Sequence, residues 1–293
     1  MWLEFESYLQ DRGSSPKTIR GYLNDLKQFA TWFEITNGQV LEPGLMTPID
    51  GREYRQYLIA IKKSRPATIN RHLAALHSLG EWAVKVGEVG SNPFSGIKKI
   101  EQQALSPKWL DRREQAALQR LVDRQVNAAQ TDIARMQAIR DRCILIVLLN
   151  TGLRIGEFTQ LEETDIQMTD RKGELWVRKG KGDKSRNIPL NDTARRVLKE
   201  WMVLKPKSPL LFTGQRGPLK IRAVELIITE LGRLANVEVT PHRLRHTFGK
   251  SLVDSGVSLE KVAALLGHSS LNTTRVYITP SQADLEKAVK MLD

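Results

Sequence analysis

The chain has 293 residues, of which 41% are hydrophobic and 27% charged, so it is long enough to bury the cores of about two domains. Its 45 Lys and Arg residues against 33 Asp and Glu give a net charge of +12, which predicts a polyanionic partner, with nucleic acid the first candidate. A single cysteine, apolar runs much shorter than the ~20 residues of a membrane span and the lack of a secretory signal argue against disulfide scaffolds and membrane proteins, so we expect a cytoplasmic protein.

Two amphipathic helices with nearly the same starting sequence are predicted in the first hundred residues. One begins near Pro16 and Thr18, and the other begins fifty positions later near Pro66 and Thr68. Helix starts favour proline and threonine, and their unpaired backbone N–H groups attract phosphates. The alternative is that shared start chemistry and a shared Leu/Trp core stripe alone produce the match. Because of the net charge we favour DNA contacts, and the predicted contact residues are Lys17, Thr18, Arg20, Thr68, Asn70 and Arg71.

Further along the chain, a linker is predicted at residues 101–107, after a turn-rich stretch. Helical patterns then run to about residue 150, and their most apolar run contains the single cysteine, which we expect to be a buried structural thiol. A β-hairpin is predicted at 174–190, followed by more helices. The predicted fold class is therefore mainly α with a small antiparallel sheet (α+β), in two domains at residues 1–100 and 108–293.

The second half of the chain places basic residues beside predicted helix ends. Gly152 can end an apolar helix, which leaves Arg154 near the start of the next helix. Thr240 is a good N-cap, so His242 and Arg245 share one face in the first turns of the helix that follows. Both positions predict anion contacts.

Further residues join this basic group. An apolar helix is predicted to end just before His268, and Tyr277 follows nine residues later in a short helix. Lys181 lies in the hairpin turn, where its flexible ammonium can reach into a cleft formed by the helices. Lys184 and Arg186 are nearby competitors for that role.

The positions of the tyrosines single out one of them. Tyr8, Tyr22, Tyr54 and Tyr57 all lie in the amino-terminal half, so Tyr277 is the one tyrosine beside the basic group. A tyrosine taken alone usually serves core packing and one hydrogen bond. In combination with the cations, a nucleophilic role is favoured instead.

Other kinds of site fit these residues less well. His242 and His246 have the i,i+4 spacing of zinc proteases, but Arg243 stands where the glutamate of such a site belongs. Asp183 replaces the glycine that a P-loop has before the lysine at Lys184, and no carboxylate cluster suggests a two-metal nuclease. We therefore predict no metal and no cofactor, and cationic side chains must carry the chemistry.

These residues, in this order and context, resemble the tyrosine recombinase (phage integrase) family. The similarity covers nearly the whole chain. The first hundred residues resemble the helical SAM-like core-binding domain, and the remainder resembles the catalytic domain, in the compact arrangement of Xer-type and transposon-encoded recombinases. Besides Tyr277, the motifs that carry the resemblance are Thr151-Gly152-Leu153-Arg154-x-x-Glu157, Gly180-Lys181-Gly182-x-Lys184, His242-x-Leu244-Arg245-His246-Thr247-Phe248 and Leu265-Leu266-Gly267-His268-Ser269.

The resemblance implies a mechanism. Tyr277 would attack the scissile phosphorus and give a 3′-phosphotyrosyl enzyme with a free 5′-hydroxyl, so that rejoining needs neither metal nor ATP. Arg154 and Arg245 would clamp the non-bridging oxygens, where forked guanidinium donors stabilise the transition state. Glu157 would orient these cations.

The remaining residues take supporting roles in the same resemblance. Lys181 would act as general acid towards the 5′-oxygen. His242 would accept the tyrosine proton or hydrogen-bond the phosphate, and His268 would add a phosphate contact. Lys184 and Arg186 are predicted to contact DNA.

The resemblance further implies a homo-tetramer on two double-stranded DNA sites, which exchanges strands through a Holliday junction for integration, excision or resolution. The last helix carries Leu285, Ala288, Val289 and Leu292 on one apolar stripe, which either packs on its own domain or docks onto a neighbouring subunit. Residues 122–139 depart from the compact members by lengthening the stretch before the first arginine motif.

Two other functions remain open at this point. A type IB topoisomerase uses similar residues to relax supercoils as a monomer, and a catalytically silent regulator would only bind DNA. The core-binding domain and the terminal helix favour the recombinase over the topoisomerase. The complete set of reactive residues argues against the regulator.

Overall fold

The structure is a computed structural model that describes residues 1–101, 108–178, 185–214, 217–268, 270–278 and 289. It divides into two compact units, Met1–Ala104 and Leu105–Asp293. All but the first residue of the predicted linker at 101–107 lies outside the described residues. The linker and the domain boundaries at residues 100 and 108 stay predictions.

Four helices form the described part of the amino-terminal unit, and two of them begin where the sequence predicts. These two start at Pro16 and Pro66, and the Ser15 hydroxyl caps the first by accepting from the Thr18 backbone N–H at 3.1 Å. The first ends at Gly38, which adopts the left-handed conformation that favours glycine. The helices are α1 Trp2–Asp11, α2 Pro16–Asn37, α3 Pro48–Ala60 and α4 Pro66–Lys85, with a 3-10 turn at Pro43–Leu45.

The apolar stripes of α2 and α4 form much of the core of this unit. Leu26 and Leu76 are buried, and Phe29 packs on Tyr54 and Phe94 with ring centroids 5.0 and 5.9 Å apart. The repeated helix sequence therefore serves packing, as the alternative explanation of the repeat proposes.

A polar network lies inside this core. Arg71 donates from Nε and Nη2 to the two carboxylate oxygens of Asp25 at 2.7 and 2.8 Å, and Asp25 is only 1% exposed. His72 Nε2 lies 3.3 Å from Asp25, and His72 Nδ1 lies 3.1 Å from the Tyr54 hydroxyl. Burial raises the pKa of Tyr54 and lowers the pKa of His72, so both side chains are neutral at neutral pH.

The second unit is mainly helical with a small sheet, which confirms the predicted fold class. Its first helices are α5 Arg112–Ala128, α6 Asp132–Thr151, α7 Ile155–Phe158 and α8 Asp192–Leu204. Further on are α9 Ile221–Ala235, α10 Pro241–Asp254, α11 Leu259–Leu266 and α12 Leu271–Thr274, with 3-10 turns at Glu163–Asp165 and Arg275–Tyr277. The strands are β1 Ile166–Met168, β2 Gly173–Val177, β3 Arg186–Pro189, β4 Thr213–Gly214 and β5 Gly217–Pro218.

The predicted β-hairpin is confirmed as β2 and β3, which pair antiparallel with Leu175 opposite Ile188. Its connection, residues 179–184, lies outside the described residues. β1 adds a third antiparallel strand on the other side of β2, with Ile166 opposite Leu175. β1 was not predicted, because three residues are too few to show an alternating pattern.

α6 is the central helix of this unit and packs against α5, α8 and α10. Every residue from Cys143 to Leu148 is buried, which confirms the prediction of a buried thiol. Residues 122–139 form the end of α5, the start of α6 and the turn between them, so the longer stretch extends a helical hairpin. Among the described residues, no helix has both the length and the apolar character that crossing a bilayer requires.

Candidate active site

Five segments of the second unit meet at one site, and local sequence rules position three of them. α6 ends at Gly152 in the left-handed conformation, so Arg154 becomes the N-cap of α7. α11 ends in the same way at Gly267, which sets His268 directly after the helix. Thr240 caps the start of α10 with its hydroxyl, as predicted. The other two segments are β3 and the 3-10 turn after α12.

Glu157 joins two arginines at this site. Its Oε1 and Oε2 accept from Arg154 Nη1 and from the Arg154 backbone N–H, both at 2.9 Å. The same carboxylate accepts from Arg186 Nη1 and Nη2 at 3.0 and 2.7 Å. Burial alone would raise the pKa of Glu157, but the hydrogen bonds from Arg186 and Arg154 hold it below its usual value. This geometry suits the orienting role that the resemblance implies.

Arg245 is buried more deeply, with 5% of its surface exposed. It donates from Nη1 to the Gly152 carbonyl and from Nη2 to the Leu266 carbonyl, both at 2.6 Å. These carbonyls end α6 and α11, and helix carboxyl ends favour a cation. Burial, and then the nearby Arg154, lower the pKa of Arg245 to about 10, so it remains charged at neutral pH. The other N–H groups of its fork are available to a phosphate.

Arg154, Arg186 and Arg245 around Glu157 form what we call the guanidinium cluster. Within the described part of the site, three positive charges face one carboxylate. A surplus of partly buried positive charge is unfavourable until an anion neutralises it. A phosphate group would suit this site, because its non-bridging oxygens accept paired hydrogen bonds from guanidinium forks.

Tyr277 lies in the 3-10 turn after α12 and is 1% exposed. Its ring packs on Gly249 of α10, where even a Cβ atom would lie 2.7 Å from Tyr277 Cζ. The ring is also nearly parallel to the ring of His268, with centroids 6.4 Å apart. Burial raises the pKa of Tyr277 and Arg245 opposes that rise. The hydroxyl therefore stays protonated until a base accepts its proton.

Two histidines of α10 connect this hydroxyl to the surface. The Tyr277 hydroxyl lies 3.0 Å from His246 Nδ1, and His246 Nε2 lies 2.8 Å from His242 Nε2. Burial, and then His242 and Arg245, lower the pKa of His246 to about 4, and burial followed by Arg245 lowers the pKa of His242. Both rings are neutral at neutral pH. Tyr277 can therefore donate to His246, which in turn donates from Nε2 to His242.

His268 occupies the other side of the tyrosine. Its Nδ1 lies 2.9 Å from the hydroxyl of Thr274, which is fully buried. Burial, and then Arg245 and Arg154, lower the pKa of His268 to about 4, so this ring is also neutral. An uncharged imidazole beside the guanidinium cluster can contact a phosphate without adding a further positive charge.

The structure brings most of the predicted catalytic residues together. Lys181 and Lys184 lie outside the described residues, so their roles stay predictions. His246 was not predicted as a site residue, because its i,i+4 spacing from His242 was interpreted only as a possible zinc site. The described residues contain no group of three or more His, Cys, Asp or Glu side chains that could hold a metal ion. The predicted residues at the site are Arg154, Glu157, His242, Arg245, His268 and Tyr277.

Arg186, a predicted DNA contact, has hydrogen-bond partners inside the protein. Besides the two bonds to Glu157, Arg186 donates from Nε to the Leu265 carbonyl at 2.9 Å, and its side chain is only 10% exposed. All three nitrogens of the guanidinium are thus engaged. Arg186 therefore supports Glu157 and the end of α11, and its contact with DNA stays a prediction.

In the amino-terminal unit, the predicted contacts at the start of α2 are accessible. Lys17, Thr18 and Arg20 are exposed, and the Thr18 hydroxyl lies 2.8 Å from that of Ser15. Thr68 is half-buried near the start of α4. These residues stay predicted DNA contacts.

Two other predicted contacts of this unit have partners inside it. Asn70 donates from Nδ2 to the Ile100 carbonyl and accepts the Ile100 N–H at Oδ1, both at 2.8 Å, so its amide anchors the backbone at Ile100 and its DNA contact stays a prediction. Arg71 commits Nε and Nη2 to Asp25. Its side chain is still 53% exposed, so only its outer edge remains a predicted phosphate contact.

Comparison with known proteins identifies the family to which this chain belongs. The model of the phage integrase family matches residues 118–283, and that of the phage integrase N-terminal SAM-like domain matches residues 3–87. The chain belongs to the phage integrase family, the tyrosine recombinases, which cleave and rejoin DNA strands in site-specific recombination. The family predicted from the sequence is therefore confirmed.

Several named proteins are similar to this chain over nearly its whole length. The chain is 31% identical to tyrosine recombinase XerC of Bacillus subtilis (strain 168) over 286 residues, which cover 93% of this chain and 89% of the relative. It is 29% identical to XerC of Lacticaseibacillus casei (strain BL23) over 297 residues, with coverage of 96% and 94%. It is also 25% identical to the TnP I resolvase of Bacillus thuringiensis over 295 residues, with coverage of 99% and 98%.

Solved structures share the fold. XerH site-specific recombinase, bound to palindromic difH substrate in a post-cleavage complex, matches with a TM-score of 0.77 at 23% identity, covering 98% of this chain and 84% of the other. The Tn1549 transposon integrase in complex with transposon right end DNA matches with a TM-score of 0.72 at 17% identity, covering 98% and 97%.

Proposed function

We propose that this chain exchanges DNA strands between two specific sites with Tyr277 as its nucleophile. The observation that carries the proposal is the Tyr277 hydroxyl, which lies 3.0 Å from a neutral His246 and beside the guanidinium cluster. A nucleophile, a base and preorganised positive charge are the groups that phosphoryl transfer to a side chain requires.

In the proposed reaction, the Tyr277 oxygen forms a bond to the scissile phosphorus and the bond from phosphorus to the 5′-oxygen breaks. The products are a 3′-phosphotyrosyl enzyme and a 5′-hydroxyl. Arg154 and Arg245 stabilise the charge on the non-bridging oxygens, and Glu157 holds Arg154 in position. Rejoining reverses these steps with the 5′-hydroxyl of the partner strand, so no external energy source enters.

The other roles in this proposal come from the resemblance. Lys181 protonates the 5′-oxygen, Lys184 contacts DNA and His268 contacts the phosphate. In the amino-terminal unit, the exposed Lys17 and Arg20 are the strongest proposed phosphate contacts, because both are cations near a helix start.

We also propose that four copies of the chain act on two duplexes through a Holliday junction. The predicted stripe Leu285, Ala288, Val289 and Leu292 would dock onto a neighbouring copy; of these residues only Val289 lies within the described part, and it is 65% exposed. A role on a mobile element is supported by the relatives called TnP I resolvase and Tn1549 transposon integrase. Action on chromosomal or mobile DNA is compatible with the predicted cytoplasmic location.

The proposal is tested by trapping the covalent adduct. First, the DNA site is found by selecting, from duplexes with a randomised segment, those that the Tyr277→Phe protein binds. The enriched sequence is then synthesised with a nick near the cleavage position. Cleavage of this duplex releases a short strand, which traps the covalent adduct because rejoining is prevented. The unaltered chain should form a protein–DNA adduct, and Tyr277→Phe should bind the duplex without forming one. Tyr54→Phe is the matched control, because this tyrosine lies in the other unit. An adduct with Tyr277→Phe would contradict the proposal.

The same selected site separates recombination from topoisomerase activity. A plasmid that carries two copies of the site is incubated with the chain, and the products are mapped by restriction digestion. Strand exchange predicts deletion or inversion between the two copies. Relaxation of plasmids without recombinant products would favour the topoisomerase.

A further inference from the structure

Tyr277 has a hydrogen-bond partner to which the family resemblance assigns no role. We propose that His246 is a catalytic residue of this chain, which accepts the proton of Tyr277 during attack and passes a proton on to His242. The proposal rests on Tyr277 as the nucleophile of the proposed function. It differs from the resemblance, in which His242 would accept the tyrosine proton directly.

The geometry gives the proton a continuous path. The distance from the Tyr277 hydroxyl to His246 Nδ1 is 3.0 Å and that from His246 Nε2 to His242 Nε2 is 2.8 Å, both within hydrogen-bond range. The i,i+4 spacing of the two histidines on α10 places their rings together, with centroids 4.2 Å apart. We call these three side chains the histidine relay.

The relay connects a buried hydroxyl to an exposed ring. Tyr277 is 1% exposed, so water has little access to its proton, whereas His242 is exposed. A buried phenol without a contacting base forms little phenolate at neutral pH. His246 is the base that the structure puts in contact with the tyrosine hydroxyl.

The proton balance of the proposed step is as follows. The Tyr277 oxygen gives its proton to His246 Nδ1 while its electron pair forms the bond to phosphorus. His246 gives the proton on its Nε2 to His242 Nε2, so His246 remains neutral and His242 becomes an imidazolium. The 5′-oxygen leaves with the phosphorus–oxygen bonding pair and takes a proton from the proposed general acid, Lys181. In rejoining, each proton returns along the same path.

The charges around the relay favour outward movement of the proton. Arg245 of α10, Arg154 at the start of α7 and Arg186 of β3 surround the inner part of the site, with Glu157 as the carboxylate between the last two. His268, on the opposite side of Tyr277, is neutral. A positive field disfavours a positive charge on His246, so the proton is better held by the more exposed His242.

The test variant is His246→Asn. Asparagine Oδ1 takes the place of Nδ1 and can still accept a hydrogen bond from Tyr277, but it cannot take the proton. We expect single-turnover adduct formation on the selected, nicked duplex to slow by about 100-fold or more at pH 7, which is typical for loss of a general base. His77→Asn, at an exposed histidine of α4, is the matched control and should leave the rate unchanged.

The pH profile separates proton transfer from a structural role. Without the relay, attack requires Tyr277 to have lost its proton to solvent beforehand. The rate of adduct formation by His246→Asn should therefore rise about tenfold per pH unit between pH 6 and 9. The unaltered chain should show a much flatter profile. A rate lowered by the same factor at every pH would show that His246 only positions Tyr277 and would overturn the proposal.

A duplex with sulfur in place of the bridging 5′-oxygen shows whether His246 acts on the tyrosine nucleophile or on the leaving group. A thiolate leaves without protonation, so this substrate should relieve the defect of Lys181→Ala but not that of His246→Asn. Relief of the His246→Asn defect would overturn the proposal. Full activity of His246→Asn, with the unaltered chain forming an adduct, would overturn the relay alone. Failure of the unaltered chain to form any adduct would overturn the proposed function itself.

Discussion

Each of the two units contains a tyrosine whose hydroxyl lies close to a histidine Nδ1. In the amino-terminal unit, Tyr54 lies 3.1 Å from His72, whose Nε2 faces the buried carboxylate of Asp25. In the second unit, Tyr277 lies 3.0 Å from His246, whose Nε2 faces His242. Both arrangements contain a tyrosine–histidine pair, but the histidine contacts an aspartate in the first unit and a second histidine in the second unit.

The two ends have different charge environments. Asp25 pairs with Arg71, so one carboxylate meets one guanidinium and the network is balanced. In the second unit, three guanidiniums surround Glu157 in the described part of the site, and the neutral relay leads outward to the exposed His242.

A tyrosine–histidine contact therefore does not by itself indicate chemistry. A network in which one carboxylate balances one guanidinium stabilises a core, because every buried group has a partner. A network with surplus positive charge and an exposed end can receive a phosphate and release a proton.

The largest expected effect on stability comes from removing each carboxylate. Glu157→Gln leaves the partly buried guanidinium cluster without its counter-charge, and we expect the second unit to lose about 3–5 kcal/mol of unfolding free energy. Asp25→Asn should cost the first unit less, about 1.5–3 kcal/mol, because Arg71 is half exposed and remains solvated. Hydrogen exchange measured by mass spectrometry reports each unit separately. A greater loss from Asp25→Asn would contradict the contrast in charge balance.

A somewhat smaller effect is expected from the glycine beneath Tyr277. In Gly249→Ala, the new methyl group would overlap the tyrosine ring, which must then shift away from His246. Displacement of a reacting group by about 1 Å can slow a reaction about 100-fold, and we expect adduct formation to fall by that order while DNA binding is kept.

The control for this variant is Gly96→Ala in the other unit, where a Cβ atom meets nothing within 4 Å. It should leave the adduct rate unchanged. Unchanged or faster adduct formation by Gly249→Ala would show that contact between Tyr277 and α10 does not serve the reaction.

The smallest effect is the loss of stability of the second unit at acid pH. The folded-state pKa values of His246 and His268 are about 4, below the unfolded value of about 6.5. Their contribution to stability is therefore complete above pH 6.5 and is lost as the pH falls from 6.5 towards 4.

After allowance for solvent screening, we expect the second unit to lose on the order of 1 kcal/mol between pH 7.5 and 5.5. Hydrogen exchange at the two pH values measures this loss, and the His246→Asn variant should lose less because one titrating ring is gone. Equal pH sensitivity of this variant and the unaltered chain would contradict the assignment of a neutral His246.

Local signals in the sequence predicted much of the fold and part of the site. Pro16 and Pro66 start helices, Gly152 and Gly267 end them and Thr240 caps one, because caps and left-handed glycines depend on a few neighbouring residues. In the second unit, these helix starts and ends bring Arg154, Arg245 and His268 to the site that contains Tyr277.

Long-range partners could not be predicted in this way. Arg186 was predicted to face DNA, but its partner Glu157 comes from another segment, and nothing in the pattern around Arg186 reveals it. The bond of Asn70 to Ile100 was missed for the same reason. His246 was overlooked because its spacing fitted a metal site, whereas its actual partner depends on how two distant segments pack.

The most direct test of the central claim is to locate the covalent bond. The adduct trapped on the nicked duplex is digested with protease and nuclease, and the modified peptide is identified by mass spectrometry. We predict a nucleotide joined through its 3′-phosphate to Tyr277. Attachment to any other residue, or through a 5′-phosphate, would contradict the account.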